Sequence, residues 1–338
     1  MSAPITASVD HAAPSSREVR GSTGWPTSRA FHAFGNRGSK LRVKIAILDV
    51  DSKIPNLALM KISAWHKARG DHVEHYMPLF RDDYDKIYAS KIFNFSDDSM
   101  LNDERMIIGG TGWDMKKTLP DEIENMVPDY SIYNYPHNIG FTMRGCRLRC
   151  GFCVVPEKEG KPYGVMTIPE IWTQRTSDFV VLLDNDFFGN PAWRERIAEI
   201  KDLNLKVNFN QGLNIRNLKS EQAEALASIK FRSMSGKSNS VNFAWDDPRH
   251  EKLIHRGIKT CLDAGMKAWQ MGFYVLIGYH STPEEDMHRV MTLDEYGCDP
   301  FVMPYDKNDL YQSRFTRWVN HKATFKTVKW KDYIREGV

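Results

Sequence analysis

The sequence predicts an α/β protein in two parts, each built on a parallel sheet. Two observations carry this. Apolar runs rich in β-branched residues recur along the chain, and segments with helical patterning separate them, which is the alternation that parallel sheets produce. The length of 338 residues leaves room for two such units.

Residues 1–40 are rich in Ser, Ala, Gly, Pro and Arg without apolar periodicity, so a disordered tail is expected there. Order begins at Val43. The run VKIAILDV (Val43–Val50) reads as a buried strand. A helix is expected through Asn56–Arg69, stopped by Gly70. Further strands are expected at His72–Met77, Asp85–Ser90 and Arg105–Gly110. Residues 41–136 are thus predicted to form a Rossmann-like parallel sheet.

A second alternation fills residues 137–306. Its expected strands are Asn138–Met143, Phe179–Asp184, Lys206–Gln211, Ser240–Trp245, Gly272–Ile277 and Phe301–Tyr305. Asn190 is expected to cap a helix beginning at Pro191, and Thr282-Pro283-Glu284-Glu285 has the spacing of a capping box. Six β/α units are too few for an eight-stranded barrel, so a partial (β/α)6 barrel is expected. By analogy with closed barrels, its functional groups should stand at the strand C-termini.

Bulk composition excludes several functions. Net charge is +3, too small by itself to mark a nucleic-acid binder. No apolar run approaches the roughly 20 residues that span a bilayer, so no membrane partner is expected. The N-terminus lacks the apolar block of a secretory signal, which leads to a cytoplasmic expectation.

The cysteines are more informative. Of five, three fall in RGCRLRCGFC (Arg144–Cys153). An odd total clustered in this way argues against a disulfide framework. Cys261 and Cys298 stand alone and read as small buried apolar side chains. Cys146, Cys150 and Cys153 lie just after the first strand of the second alternation, where a loop can aim all three at one point. Thiolates are soft ligands that hold iron–sulfur clusters. Arg144, Arg147 and Arg149, set among them, would favour the thiolate form. Three thiolates on a four-iron cubane leave one iron open to a small chelating molecule, as three ligands do at catalytic zinc. A structural zinc site is the rival reading, but zinc takes a fourth ligand.

The C-x3-C-x2-C spacing, with Phe152 directly before the last cysteine, resembles the signature of the radical S-adenosylmethionine superfamily. The resemblance implies a 4Fe-4S cluster on Cys146, Cys150 and Cys153, whose open iron chelates S-adenosylmethionine. The cluster then cleaves the sulfonium, and a 5′-deoxyadenosyl radical abstracts a substrate hydrogen. A one-electron donor of flavodoxin or ferredoxin type is implied as partner. Phe152 is expected beside the cluster. Asp184-Asn185-Asp186 stands where the family meets the methionine amino group, although the usual glycines are missing. Gln211, at the end of the third strand, is expected at the cleft. Ile277 and Gly278 match the segment whose backbone meets the adenine. The resemblance names no substrate and no catalytic side chain.

The layout of a Rossmann-like unit before the barrel, with pieces such as Ile54–Tyr76, resembles the cobalamin-binding class of these enzymes. Cobalamin is nevertheless disfavoured. The D-x-H-x-x-G loop is absent, and Trp113, directly after Gly109–Gly112, is expected to fill the groove. A cobalamin-dependent radical methyltransferase is one alternative function. A non-catalytic iron–sulfur protein that binds nucleic acid is another. The second alternative rests on residues 307–338, where Arg314, Arg317, Lys322, Lys326, Lys329, Lys331 and Arg335 interleave with aromatic rings, a pattern that suits single-stranded nucleic acid. Tyr311, Phe315, Trp318 and Val319 fall at helical spacing, which instead predicts a helix covering the open side of the barrel. Asp246, Asp247 and His250, after the fourth strand, are expected near the cleft.

Overall fold

The computed structural model describes residues 42–334. The expected tail at 1–40 and Arg335 lie outside the described residues. The chain divides into two compact units at the junction of Pro136 and His137.

In the first unit four strands, β1 (Lys44–Asp49), β2 (His72–His75), β3 (Lys86–Ser90) and β4 (Met106–Gly109), form a sheet in the order β2-β1-β3-β4. All pairings are parallel. The helix α1 (Leu57–Ala68) connects β1 to β2. Strand alternation explains why the middle of β1 is apolar on both faces: Ile45 and Ile47 face α1 with Leu59, Ile62 and Trp65, while Ala46 faces Tyr84, Ile87 and Met106.

Among the described residues the second unit holds nine strands and a larger core. Residues β5 (Asn138–Gly140), β8 (Phe179–Leu182), β9 (Lys206–Phe209) and β10 (Lys230–Phe231) form one parallel sheet in the order β10-β9-β8-β5. A second parallel sheet contains β11 (Val241–Ala244), β12 (Met271–Ile277) and β13 (Asp299–Pro304). An isolated parallel bridge, Leu213 to Phe243, joins the two. Among the described residues, the helices of eight residues or more that alternate with these strands or follow them are α2 (Trp193–Asp202), α3 (Ser220–Ala227), α4 (Glu251–Asp263), α5 (Pro283–Glu295) and α6 (Leu310–Asn320). Alternation along β12 sorts its side chains. Met271, Phe273, Val275 and Ile277 enter the main core, and Tyr274 and Leu276 point to the opposite face.

Several expectations need correction. The strand expected at Asn138–Met143 breaks after Gly140. Its last residues turn into β6 (Met143–Arg144), which pairs antiparallel with β7 (Tyr163–Gly164). Asn190 does not cap a helix at Pro191. Its Oδ1 accepts the Ala192 N–H at 3.0 Å, and α2 starts two residues beyond Pro191. The short strand β10 escaped the sequence reading because two residues carry no periodicity. The capping box at Thr282 is present, with the Thr282 side chain accepting from Glu285 N–H and the Glu285 side chain from Thr282 N–H.

At the C-terminus α6 packs on β13. The Asn320 amide accepts the Val302 N–H at 2.8 Å and donates to the Val302 carbonyl at 2.9 Å, satisfying backbone groups on the free edge of that strand. Phe315, Trp318 and Val319 are buried as the helical spacing predicted. The rings of Tyr311, Phe315, Trp318, Phe325, Trp330 and Tyr333 pack on one another. Lys322 and Lys326 pair with Asp299 and Asp294. This segment therefore spends much of its aromatic surface on packing against itself and the core, and two of its cations on surface ion pairs.

Candidate functional site

The cysteine loop is the long arm of a hairpin whose neck is β6 and β7. The neck is closed tightly. Cys146 N–H donates to the Gly160 carbonyl at 3.2 Å, and a Cβ on Gly145 would stand 2.3 Å from the Lys161 carbonyl oxygen. Only glycine fits there, with φ at +76°.

Three consecutive residues at the end of β8 fasten this loop, each at a different place. Asp184 accepts from the N–H and hydroxyl of Thr142 and from the Met143 N–H. Asn185 Nδ2 donates to Glu159 Oε2 at 2.8 Å, and Glu159 in turn holds Arg144 and the Gly145 N–H. Asp186 grips Arg147 through Nε at 2.6 Å, Nη2 at 2.8 Å and the backbone N–H at 3.2 Å. The sequence placed Asp184 and Asn185 as ligand contacts; in the structure their side chains hold the loop that carries the cysteines.

This changes the role of the arginines. Arg147 is paired with Asp186, and Arg144 is paired with Glu159 and stacked over Phe141. The cation facing a thiol is Arg216, whose Nη2 lies 4.0 Å from Cys150 Sγ. Sequence reading missed it because it follows β9, 66 residues away. Burial pushes the Cys146 thiol up to about 11. It raises Cys150 and Cys153 as well, with Arg216 opposing the rise at Cys150.

The three cysteines are half-buried, and each of Cys146 and Cys153 feels the charge of another cysteine of the loop. Among the described residues no three His, Cys, Asp or Glu side chains are gathered around one point at single-ion distance. The expectation of convergence on one point is not met in that sense. A cubane takes each thiolate on a different iron, so its ligands need not meet at a single atom. The donor set of three thiols in one clamped loop fits such a cluster. Cys261 and Cys298 are buried in the main core, as their isolation in the sequence suggested.

Around the loop the remaining candidates divide. Phe152 packs on the face of β12 opposite the main core with Tyr274, Leu276 and Met303, edge-on to Tyr279 at 5.4 Å. A Cβ on Gly151 would approach the Tyr279 hydroxyl to 2.5 Å, so that tyrosine lies directly against the loop. Asp246 has a buried Oδ1 without a hydrogen-bond partner. Burial raises its carboxyl to about 6 against the pull of Arg289 and Arg216, and its charge reaches Cys150 and Cys153. Arg216 also donates to the His250 ring at 3.1 Å. Asp247 is held to about 2 by its hydrogen bonds to Arg249.

Gln211 sits in the turn that the Gly212 N–H closes onto the Phe209 carbonyl. Ile277 points into the main core, and its carbonyl accepts the Tyr305 N–H at 3.0 Å. The Gly278 N–H donates to Ser281 Oγ at 3.1 Å. Beneath that turn Arg289 and Asp286, both fully buried, form an ion pair. Arg289 also donates to the carbonyls of Trp245 at 2.8 Å and Leu276 at 2.9 Å, locking the ends of β11 and β12 together.

No protein-family model matches the chain, and no curated protein is similar enough to it to count as a match. No helix among the described residues is long and apolar enough to cross a membrane.

Proposed function

We propose that this chain is a radical S-adenosylmethionine enzyme. The observation that carries the proposal is the hairpin of Cys146, Cys150 and Cys153, leaving β5 and clamped by Asp184, Asn185 and Asp186 from the next parallel strand. The chain-order succession β5, β8, β9, β11, β12, β13 supports reading the second unit as an open (β/α)6 barrel, and the order β2-β1-β3-β4 supports a Rossmann-like first unit.

Cys146, Cys150 and Cys153 would hold a 4Fe-4S cluster. When bound, the cluster supplies the electron that cleaves S-adenosylmethionine. The chain's own part is to position and to exclude water. Arg147 and Asp186 fix the loop between the first two cysteines. Phe152 and Tyr279 cover the loop with apolar ring surface. Arg216 supplies positive charge at Cys150, and Asp246 offers an unused acceptor for a polar group of a ligand. The substrate is left unassigned, and a one-electron donor is the partner this chemistry requires.

The test is anaerobic reconstitution. About four irons per chain are expected, by the cubane argument. Replacing all three loop cysteines with Ala should abolish iron binding, while Cys261→Ala and Cys298→Ala should not. With dithionite, loaded protein should release 5′-deoxyadenosine from S-adenosylmethionine. One zinc ion per chain with no iron would overturn the proposal.

A further inference from the structure

Ligands of parallel α/β sheets sit outside the carboxyl ends of the strands, at the point where strand order reverses. In the first unit that point lies between β1 and β3, because the chain passes from β1 to β2 on one side and returns to β3 on the other. We propose that this crevice is filled by the chain's own side chains, with Asp51 standing where an anionic ligand would, so that the unit takes neither a corrin nor a nucleotide phosphate.

Asp51 follows β1. Its Oδ1 accepts the Ile92 N–H at 2.7 Å and its Oδ2 the Phe93 N–H at 2.9 Å, both just after β3. Successive backbone N–H groups at a loop are an anion-holding arrangement, and here a carboxylate of the same chain occupies it. The second customary anion position is the N-terminus of the helix that follows the first strand. On α1 it is capped from within. Asn56 Oδ1 accepts the Leu59 N–H at 3.2 Å. Its Nδ2 donates to Ser52 Oγ at 3.1 Å and to Ser90 Oγ at 2.8 Å, tying the loop after β1 to the end of β3.

The flanks are closed as well. The loop after β4 lies directly on the loop after β3: Gly112 N–H donates to the Lys91 carbonyl at 3.0 Å. A Cβ on Gly110 would stand 2.2 Å from Lys91 O, and one on Gly112 2.3 Å from the Phe93 carbonyl carbon. These glycines serve the close approach of two backbones, not of a cofactor tail. On the β2 side the Tyr133 hydroxyl donates to Asp49 Oδ2 at 2.7 Å, and its ring stands edge-on to His75 at 5.3 Å. Burial beside the Asp49 carboxylate raises the phenol, so the proton of that bond is retained. Trp113, expected to fill the groove, is instead 46% exposed. The groove is closed by smaller groups. A corrin, which needs an open apolar cleft, does not fit these residues.

The full chain decides the question. It is mixed with hydroxocobalamin, desalted, and its visible spectrum recorded. No retained corrin is expected, and one corrin per chain would overturn the proposal. This readout needs no iron, so it stands apart from the radical reading. In parallel, thermal melting is followed with rising inorganic phosphate at constant ionic strength. The Tm of the parent should not respond. Asp51→Ala, which frees both N–H groups, should gain a Tm that climbs with phosphate. A phosphate response in the parent, or none in a folded Asp51→Ala, would count against Asp51 as the internal anion. The two parent measurements decide the matter even if Asp51→Ala fails to fold.

Discussion

Arg147 lies between two of the three cysteines, and a carboxylate only 2% exposed grips it at three points. Groups that orient metal ligands without touching the metal commonly change affinity by about 10- to 100-fold when removed. Asp186→Ala should therefore lose iron to a chelator about 10- to 100-fold more readily than the parent. Arg194→Ala, which breaks the exposed pair with Glu221, should behave as the parent does. Equal iron retention in both variants would show that the clamp does not position the loop. Arg289 makes a different case. Removing one partner of a buried ion pair leaves a charge uncompensated, at about 3–5 kcal/mol. Arg289→Ala should lower the urea unfolding free energy by that amount. A loss below about 1 kcal/mol would mean that the pair with Asp286 is relieved by water. The residues of this site were only partly legible. The cysteine spacing is local, so the sequence displayed it. The direction of Asp184, Asn185 and Asp186 is a tertiary matter, and nothing local in the sequence announced that they bond to the cysteine hairpin. Arg216 is joined to Cys150 only by folding.

At the scale of elements, the sequence marked strands well where both faces are buried. All four residues of β8 and all seven of β12 are buried, and such runs read as continuous apolar blocks. It failed where an element is defined by its partner. The turn from β5 into β6 depends on Asp184 accepting from Thr142, 42 positions earlier in the chain, and nothing within Asn138–Met143 announces it. Helix starts show the same contrast. Thr282 and Glu285 satisfy each other within one turn, so their pattern is self-sufficient. Thr282→Ala should destabilise the chain by about 1 kcal/mol, measured by chemical denaturation. Asn190→Ala should leave α2 in place, since that helix begins without this side chain as its cap; loss of helical circular dichroism in the Asn190 variant would contradict the assignment.

For the molecule as a whole, buried carboxyls set the pH response. Burial raises Asp184 to about 7, against the bonds from Thr142 and Met143. An unfolded Asp ionises near 4. Between those values the folded chain holds a proton that the unfolded chain has released. Stability from this group is thus present in acid and falls as pH rises from about 4 to about 7. Asp246, raised to about 6, acts in the same direction. Asp103 acts in the opposite one. Its hydrogen bonds with Arg105 and Arg81 hold it far below the usual range, so its contribution is lost only as pH falls below about 4. Urea midpoints at pH 5 and pH 8 should show a smaller difference in Asp184→Asn than in the parent. An unchanged difference would mean that Asp184 is ionised throughout.

The two sheets of the second unit meet at the Leu213–Phe243 bridge, where the Leu213 N–H reaches the Asn242 carbonyl at 2.8 Å. Elsewhere in the unit neighbouring strands pair over two to six residues, so this single bridge is the most sparsely hydrogen-bonded junction between strands among the described residues. The cysteine hairpin hangs from one bank, and Asp246 and Gly278 belong to the other. A molecule touching both would act as a suture across the gap. Its arrival should be felt first as slower hydrogen exchange at Leu213, before any change in the ladders on either side.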